Sequence, residues 1–167
     1  KNHIEISNTS LDKILSRFDT IRNSKGDIRT AELRDKMQRA MQRYAPVYRD
    51  EKTLEKGIKI MKDNFSDFNN LSVSDKSLIW NTDLVESLEL NNLLYQSLAT
   101  LYSAYNRTES RGSHAREDYP DRDDKDWLKH TMVWVGEDGG SKFDYKPVEL
   151  KTLTDEVETV ALKARTY

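Results

Sequence analysis

The sequence predicts a mainly α fold: an antiparallel three- to four-helix bundle, spectrin-repeat-like, followed by an irregular charged segment and a small β-hairpin. Three observations predict it. Apolar residues recur three and four apart as far as Tyr105, the pattern of amphipathic helices. That period vanishes between Arg107 and Lys129, where six Arg/Lys and seven Asp/Glu leave almost no aliphatic residue. Strict alternation then flanks Gly136-Glu137-Asp138-Gly139-Gly140, a strong turn signal.

Residues 1–9 read as a linker. The first helix carries Leu11, Ile14, Leu15, Phe18 and Ile21 on one face, with Ser10 as its cap and Gly26 as its stop. The second spans Thr30 to Tyr44 with the stripe Leu33, Met37, Ala40, Met41 and Tyr44, and Pro46 follows its end. The third spans Glu51 to Asn69 with Leu54, Ile58, Met61, Phe65 and Phe68 as its seam. Asp75 to Trp80 reads as a short turn, with Trp80 a core anchor beside a capped helix start at Asn81-Thr82-Asp83. The longest helix runs from Thr82 to Tyr105. Leu84, Leu88, Leu94, Leu98, Leu101 and Tyr105 line it, and Leu90 and Leu93 widen its apolar face. Short connections favour antiparallel neighbours. The bundle is therefore placed at residues 10–106. Residues 107–167 form the charged segment, the hairpin and a tail, packed on the bundle or on another domain, because a lone hairpin is marginal in water.

Composition narrows the function. The net charge of −2 argues against a nucleic-acid partner or a polybasic membrane patch. The absence of cysteine excludes disulfides and thiolate ligation of zinc or iron–sulfur clusters. No apolar run approaches the ~20 residues that span a bilayer. Lys1 to Ser10 lacks the apolar core of a signal peptide, and a start at Lys1 fits a fragment of a longer chain. Neither a GxGxxG nor a P-loop pattern is present, so nothing here cradles a pyrophosphate.

Other candidate chemistry is thin. Asp121, Asp123, Asp124 and Asp126 fall short of a calcium loop, lacking its turn glycine and its twelfth-position Glu. His114 and His130 have no third ligand at a useful spacing and read as structural. Glu109 and Glu117 form a carboxylate pair without a nucleophile, and a surface salt-bridge network is the simpler reading.

The exact strings carry more than the composition does. Glu109-Ser110-Arg111-Gly112-Ser113-His114-Ala115-Arg116-Glu117-Asp118-Tyr119 resembles the ESRGAHARED signature of the succinate dehydrogenase and fumarate reductase flavoproteins. Asp121-Arg122-Asp123-Asp124, Trp127 and Lys129-His130-Thr131 continue the likeness in order. Thr30-Ala31-Glu32, Met37 to Gln42, Val73 to Leu84 and the terminal Arg165-Thr166-Tyr167 resemble further family motifs, so the likeness covers about Ile28 to Tyr167. Ser113 departs from the family's Ala, and Ala161-Leu162 from its frequent Pro pair.

The resemblance implies the C-terminal helical domain of a succinate dehydrogenase flavoprotein subunit. In the family the whole subunit oxidises succinate to fumarate in the tricarboxylic acid cycle. It passes a hydride to FAD, then electrons through an iron–sulfur subunit to quinone, as part of respiratory complex II. FAD would belong to an N-terminal FAD-binding domain of the same polypeptide, and no catalytic residue or metal ligand is expected in this chain. Further expected partners are membrane anchor subunits, reached through the iron–sulfur subunit, and a flavin-attachment assembly factor. The expected place is the cytoplasmic face of a bacterial inner membrane, peripheral, or the matrix face in mitochondria. Arg111 would contact the flavin edge, while Glu109, Ser110, Gly112, His114 and Arg116 would meet the flavin domain or a partner. On that reading Arg111→Ala barely moves the melt of the chain itself. Fumarate reductase and L-aspartate oxidase are the related alternatives. Without the resemblance the residues alone give a helical scaffold or adaptor module.

Overall fold

The computed structural model describes residue 3 and residues 7–163. Four helices, α1 (Asn8–Arg22), α2 (Thr30–Tyr44), α3 (Glu51–Asp67) and α4 (Thr82–Asn106), precede a hairpin of β5 (Lys129–Val135) and β6 (Ser141–Pro147). Four two-residue strands tie the connections together: β1 (Ile28–Arg29), β2 (Tyr48–Arg49), β3 (Leu71–Ser72) and β4 (Ala115–Arg116). β1 pairs in parallel with β3, and β2 in parallel with β4.

The core lies between α2, α3 and α4. Leu33, Met37, Ala40 and Tyr44 meet Leu54 and Met61, and both meet Leu90, Leu94, Leu98, Leu101 and Ala104. The stripes expected for α2 and α3 are the ones that face inward, with Ile58, Phe65 and Phe68 at the margin. Gly57 lets the helices approach closely. A Cβ there would lie 2.6 Å from Tyr44 Cβ and 3.1 Å from a Leu101 methyl.

α4 buries Leu84, Leu94, Leu98 and Leu101 as its leucines suggest, and departs from the expected stripe at Leu88 and Leu90. Leu90 is fully buried, and Leu88 is only half-buried. Ser87, Asn91 and Ser97 share the inner face. Their polar atoms are satisfied locally: Ser87 Oγ donates to Asp83 O at 2.8 Å and lies 2.8 Å from Thr30 Oγ1, while Ser97 Oγ donates to Leu93 O at 2.8 Å. A search for leucines passes over such positions.

Three further expectations are corrected. α1 begins at Asn8, capped by Ser7, whose Oγ accepts from Ser10 N at 3.3 Å; Ser10 is inside the helix. α1 ends at Arg22, with Asn23 donating back to Asp19 O at 2.9 Å, so Gly26 is not its stop. Gly26 serves a close approach instead, donating to Leu71 O at 2.9 Å where a Cβ would strike Asn70 O. Trp80 is not a core anchor. It is 96% exposed, on backbone with φ +55°. Its neighbour Asn81 does cap α4, accepting from Leu84 N at 2.8 Å.

The hairpin pairs Lys129 with Pro147 through to Val135 with Ser141. Its tip is fastened to the bundle by Tyr102 Oη, which donates to Gly139 O at 2.7 Å. Gly139 has φ +71° and lies against Phe65 and Leu98, a site where a side chain would be both strained and crowded.

The register of α4 predicts an inversion between two leucines. Leu90→Ala should cost about 2–5 kcal/mol, and Leu88→Ala about 1 kcal/mol or less. Urea melts of both variants check this, and equal losses would contradict the register.

Candidate functional site

The charged segment is ordered by charge where it has no aliphatic core. α4 ends at Asn106 with carbonyls pointing out of its last turn, and α3 begins at Glu51 with unpaired N–H groups. Arg116 lies between the two. It is 1% exposed, and its Nη1 donates to Ala104 O and Tyr105 O at 3.1 Å and to Arg107 O at 3.0 Å. Its Nε and Nη2 make a bidentate pair with Asp118 at 2.7 Å each. Asp118 Oδ2 accepts from Glu51 N at 2.8 Å. A cation thus meets the negative end of α4 and an anion the positive end of α3, the favourable sense for both dipoles. β2 and β4 hold the alignment: Glu117 N donates to Arg49 O at 2.8 Å.

A second knot sits beside the first. Glu109 is 0% exposed. It accepts from Arg111 Nε at 2.7 Å and Nη2 at 3.0 Å, from Asp123 N at 2.8 Å, and from Arg107. Arg111 Nη2 also reaches Asp124 Oδ1 at 2.9 Å and Asp123 O at 3.1 Å. Burial alone would raise the Glu109 pKa, but hydrogen bonds from Arg111, the Asp123 N–H and Arg107 outweigh it and hold the carboxyl below its ordinary value. The expected surface network is therefore a buried one at Glu109 and Arg116, while Glu117 stays exposed and apart. For the same reason Arg111 is not neutral to the fold: its removal takes two hydrogen bonds from a carboxylate that water cannot reach.

The remaining candidates fall around these knots. Ser110 Oγ accepts from Arg116 N and donates to Tyr119 O, both at 2.8 Å. Gly112 has φ +59° at an open turn where an added Cβ would meet nothing within 4 Å, so backbone conformation and not space calls for glycine. His114 Nδ1 lies 2.8 Å from Arg49 Nη1, and its Nε2 3.4 Å from Arg107 O. Burial lowers its pKa, and the nearby guanidiniums of Arg49, Arg116 and Arg107 add to this. A neutral ring that accepts at Nδ1 fits that pair. His130 is exposed on β5, at the cleft that His114 also lines. Asp123 Oδ1 caps Lys125 N and Asp126 N, and Asp124 binds Arg111 and Arg122, so these acids are engaged within the chain.

The segment, α4 and β5 enclose an open cleft of about 610 Å³. Arg49, Arg107, Arg111, His114, Lys129 and His130 line it, and no carboxylate does. Trp127 forms part of its wall, with Arg107 at 5.0 Å and Lys129 at 4.7 Å from the ring centroid. Sequence reasoning missed Arg49, Arg107 and Lys129. A helix-end arginine and an arginine just before a helix cap give no sign in one sequence that a later segment will join them.

Residues 34–167 match the family described as fumarate reductase flavoprotein C-term. The chain belongs to the succinate dehydrogenase and fumarate reductase flavoprotein family. This flavoprotein domain is 53% identical over 165 residues to the succinate dehydrogenase flavoprotein subunit of Rickettsia bellii, a match that takes in 99% of the chain and 28% of that protein. It is 43% identical over 157 residues to the mitochondrial succinate dehydrogenase flavoprotein subunit of Oryza sativa, covering 93% of the chain and 25% of the relative. Among solved structures it superposes on E. coli quinol fumarate reductase with a TM-score of 0.84 at 30% identity, over 92% of the chain and 27% of the other. The flavoprotein domain thus spans about a quarter of the length of these relatives. Its motif at Glu109–Tyr119 is the buried clamp described above.

The clamp predicts an acid response with a definite sign. Hydrogen bonds from Arg116 hold the Asp118 carboxyl at about 2, below its ordinary 3.8. A depressed pKa contributes stability that is complete above the ordinary value and lost as pH falls from there towards 2. Because Asp118 is partly exposed, the loss should be on the order of 1 kcal/mol. Asp118→Asn should remove that slope in acid melts. Arg116→Met, which leaves the helix end and Asp118 unpaired, should cost about 3–5 kcal/mol at neutral pH.

Proposed function

We propose that this chain is the C-terminal helical domain of a succinate dehydrogenase flavoprotein subunit, and that the complete polypeptide oxidises succinate to fumarate. The observation that carries the reading is the 53% identity to a succinate dehydrogenase flavoprotein subunit over nearly the whole chain. The fumarate reductase likeness is weaker, at 30% identity to the solved structure, and makes that enzyme the second reading.

The domain's own residues do not fit FAD. Its six glycines form no phosphate-binding loop, and its buried cations are occupied by Glu109, Asp118 and helix carbonyls. FAD is therefore assigned to the part of the polypeptide that precedes this domain, and electron transfer to an iron–sulfur subunit and on to membrane-anchored quinone chemistry is assigned to partners. Among the described residues no helix is long and apolar enough to cross a membrane. We assign the turn Arg111–Ser113 to contact with the flavin-bearing part. It protrudes from the clamp, and Arg111 Nη1 donates to no group among the described residues.

Two outcomes test this. The chain alone should melt cooperatively, purify colourless and oxidise no succinate; a stoichiometric flavin on it would overturn the assignment. In the full-length subunit Arg111→Ala should lower flavin content, read as flavin fluorescence of the denatured band, and should also lower the melt of the isolated domain. Unchanged flavin with a lowered melt would restrict Arg111 to its ion pairs.

A further inference from the structure

We propose that the cleft between the charged segment, α4 and β5 is a binding site for a small dicarboxylate, with one carboxylate meeting Arg49 and the other Lys129. The site is built from this chain's own residues and stands or falls separately from the activity proposed above.

Charge pairing singles out these two side chains. Four cations line the cleft: Arg49, Arg107, Arg111 and Lys129. Arg107 and Arg111 share Glu109, and Arg111 also holds Asp124. Asp124 is shared in turn with Arg122, so neither acid has charge to spare. Among the described residues Arg49 and Lys129 have no carboxylate partner, and the cleft itself is lined by none.

Both cations are held in place without being neutralised. Arg49 Nε donates to Pro46 O at 2.7 Å, and its Nη1 lies 2.8 Å from His114 Nδ1. A carbonyl and a neutral imidazole orient the guanidinium but carry no net charge. The group is half-buried, and burial lowers its pKa, unopposed by any acid. A desolvated, unpaired charge gains most from an incoming anion. Lys129 is fixed by aromatic faces instead, with Nζ 4.7 Å from the Trp127 ring centroid and 4.1 Å from that of Tyr145. Those rings are themselves anchored. Trp127 Nε1 donates to Thr108 Oγ1 at 3.0 Å, and Tyr145 Oη to Asn106 Oδ1 at 2.8 Å.

The placement of the charges selects the ligand. Arg49 belongs to β2, and Lys129 opens β5, where His130 follows it. Arg107 stands between them: its Nη2 donates to Lys129 O at 2.6 Å, and its carbonyl lies 3.4 Å from His114 Nε2. The two unpaired charges thus come from separate walls and not from one cluster. Ala99, Ala104, Leu128 and Val133 contribute apolar surface to the same cleft. Its volume of about 610 Å³ exceeds what a single inorganic anion needs and lies within the ~300–1,000 Å³ of small-molecule sites. Two anionic ends on a short hydrocarbon spacer match separated cations over apolar surface. A compact anion such as phosphate would meet one of them at a time.

Titration calorimetry of the purified chain tests the site, with malonate, succinate, glutarate and adipate as probes and butyrate and inorganic phosphate as comparators. One dicarboxylate of the series should bind at least about ten-fold more tightly than butyrate or phosphate, the gain from a second charge-assisted contact. Arg49→Gln and Lys129→Gln should each weaken that dicarboxylate about ten-fold, towards butyrate. Lys142→Gln, which removes an exposed cation of β6 outside the cleft, should leave it unchanged. Arg49 also braces the β2 loop, so a second measurement leaves the cleft intact. In Trp80→Phe/Trp134→Phe, Trp127 is the one remaining tryptophan, and its emission should titrate with the same half-saturation as the heat. Butyrate or phosphate binding as tightly as every dicarboxylate would overturn the proposal. So would an affinity that Lys129→Gln does not change, or Trp127 emission that stays constant up to saturation.

Discussion

The pair between Arg116 and Asp118 joins two helix termini of opposite polarity, and much of the architecture follows from that junction. α3 and α4 are neighbours in the core, but apolar packing alone does not satisfy the groups at their ends. Arg116 supplies donors to three carbonyls of α4, and Asp118 supplies an acceptor to the first turn of α3. Removing Asp118 would leave the Arg116 charge in a place with little access to water, and removing Arg116 would take the donors from three α4 carbonyls. The β2–β4 pairing, the Ser110 turn and the second knot at Glu109 are arranged around this need.

Such an arrangement explains why so polar a segment is ordered. It lacks aliphatic area, so burial of apolar surface cannot order it. Its order comes from hydrogen bonds to groups already committed by the bundle: helix carbonyls, a helix N–H and the backbone of β2. The conformational entropy lost by residues 107–123 is offset by many charge-assisted bonds made together, not by any one of them.

Much of the bundle was legible in the sequence, for reasons that can be named. α2 and α3 bury the stripes their spacing announces, because their inner faces are almost wholly apolar. α4 buries Leu84, Leu94, Leu98 and Leu101 as its spacing announces but not Leu88, because Ser87, Asn91 and Ser97 occupy inner positions that periodicity scores as surface. Trp80 was assigned to the core because large aromatics usually go there; one sequence does not disclose that Asn81 and Asp83 lock the loop outward. The apolar face of α1 was visible, but amphipathicity does not name a partner. The candidate site was legible only as a motif. The resemblance marked Glu109 to Arg116, yet neither resemblance nor composition signalled that Glu109 and Arg116 would be the most buried charges described, since a dense run of mixed charge ordinarily stays in water.

The distance in sequence between Glu51 and Asp118 is 67 residues. A ribosome therefore completes both helices before it supplies the residues that join their ends. During synthesis the growing chain carries an unsealed α3–α4 pair, held by apolar packing alone, until the last third of this domain emerges. Closure is then a late, long-range event with a large loop already fixed by apolar packing, which lowers the entropy it must overcome. The order of translation makes the clamp a latch: it fastens a bundle that has already assembled.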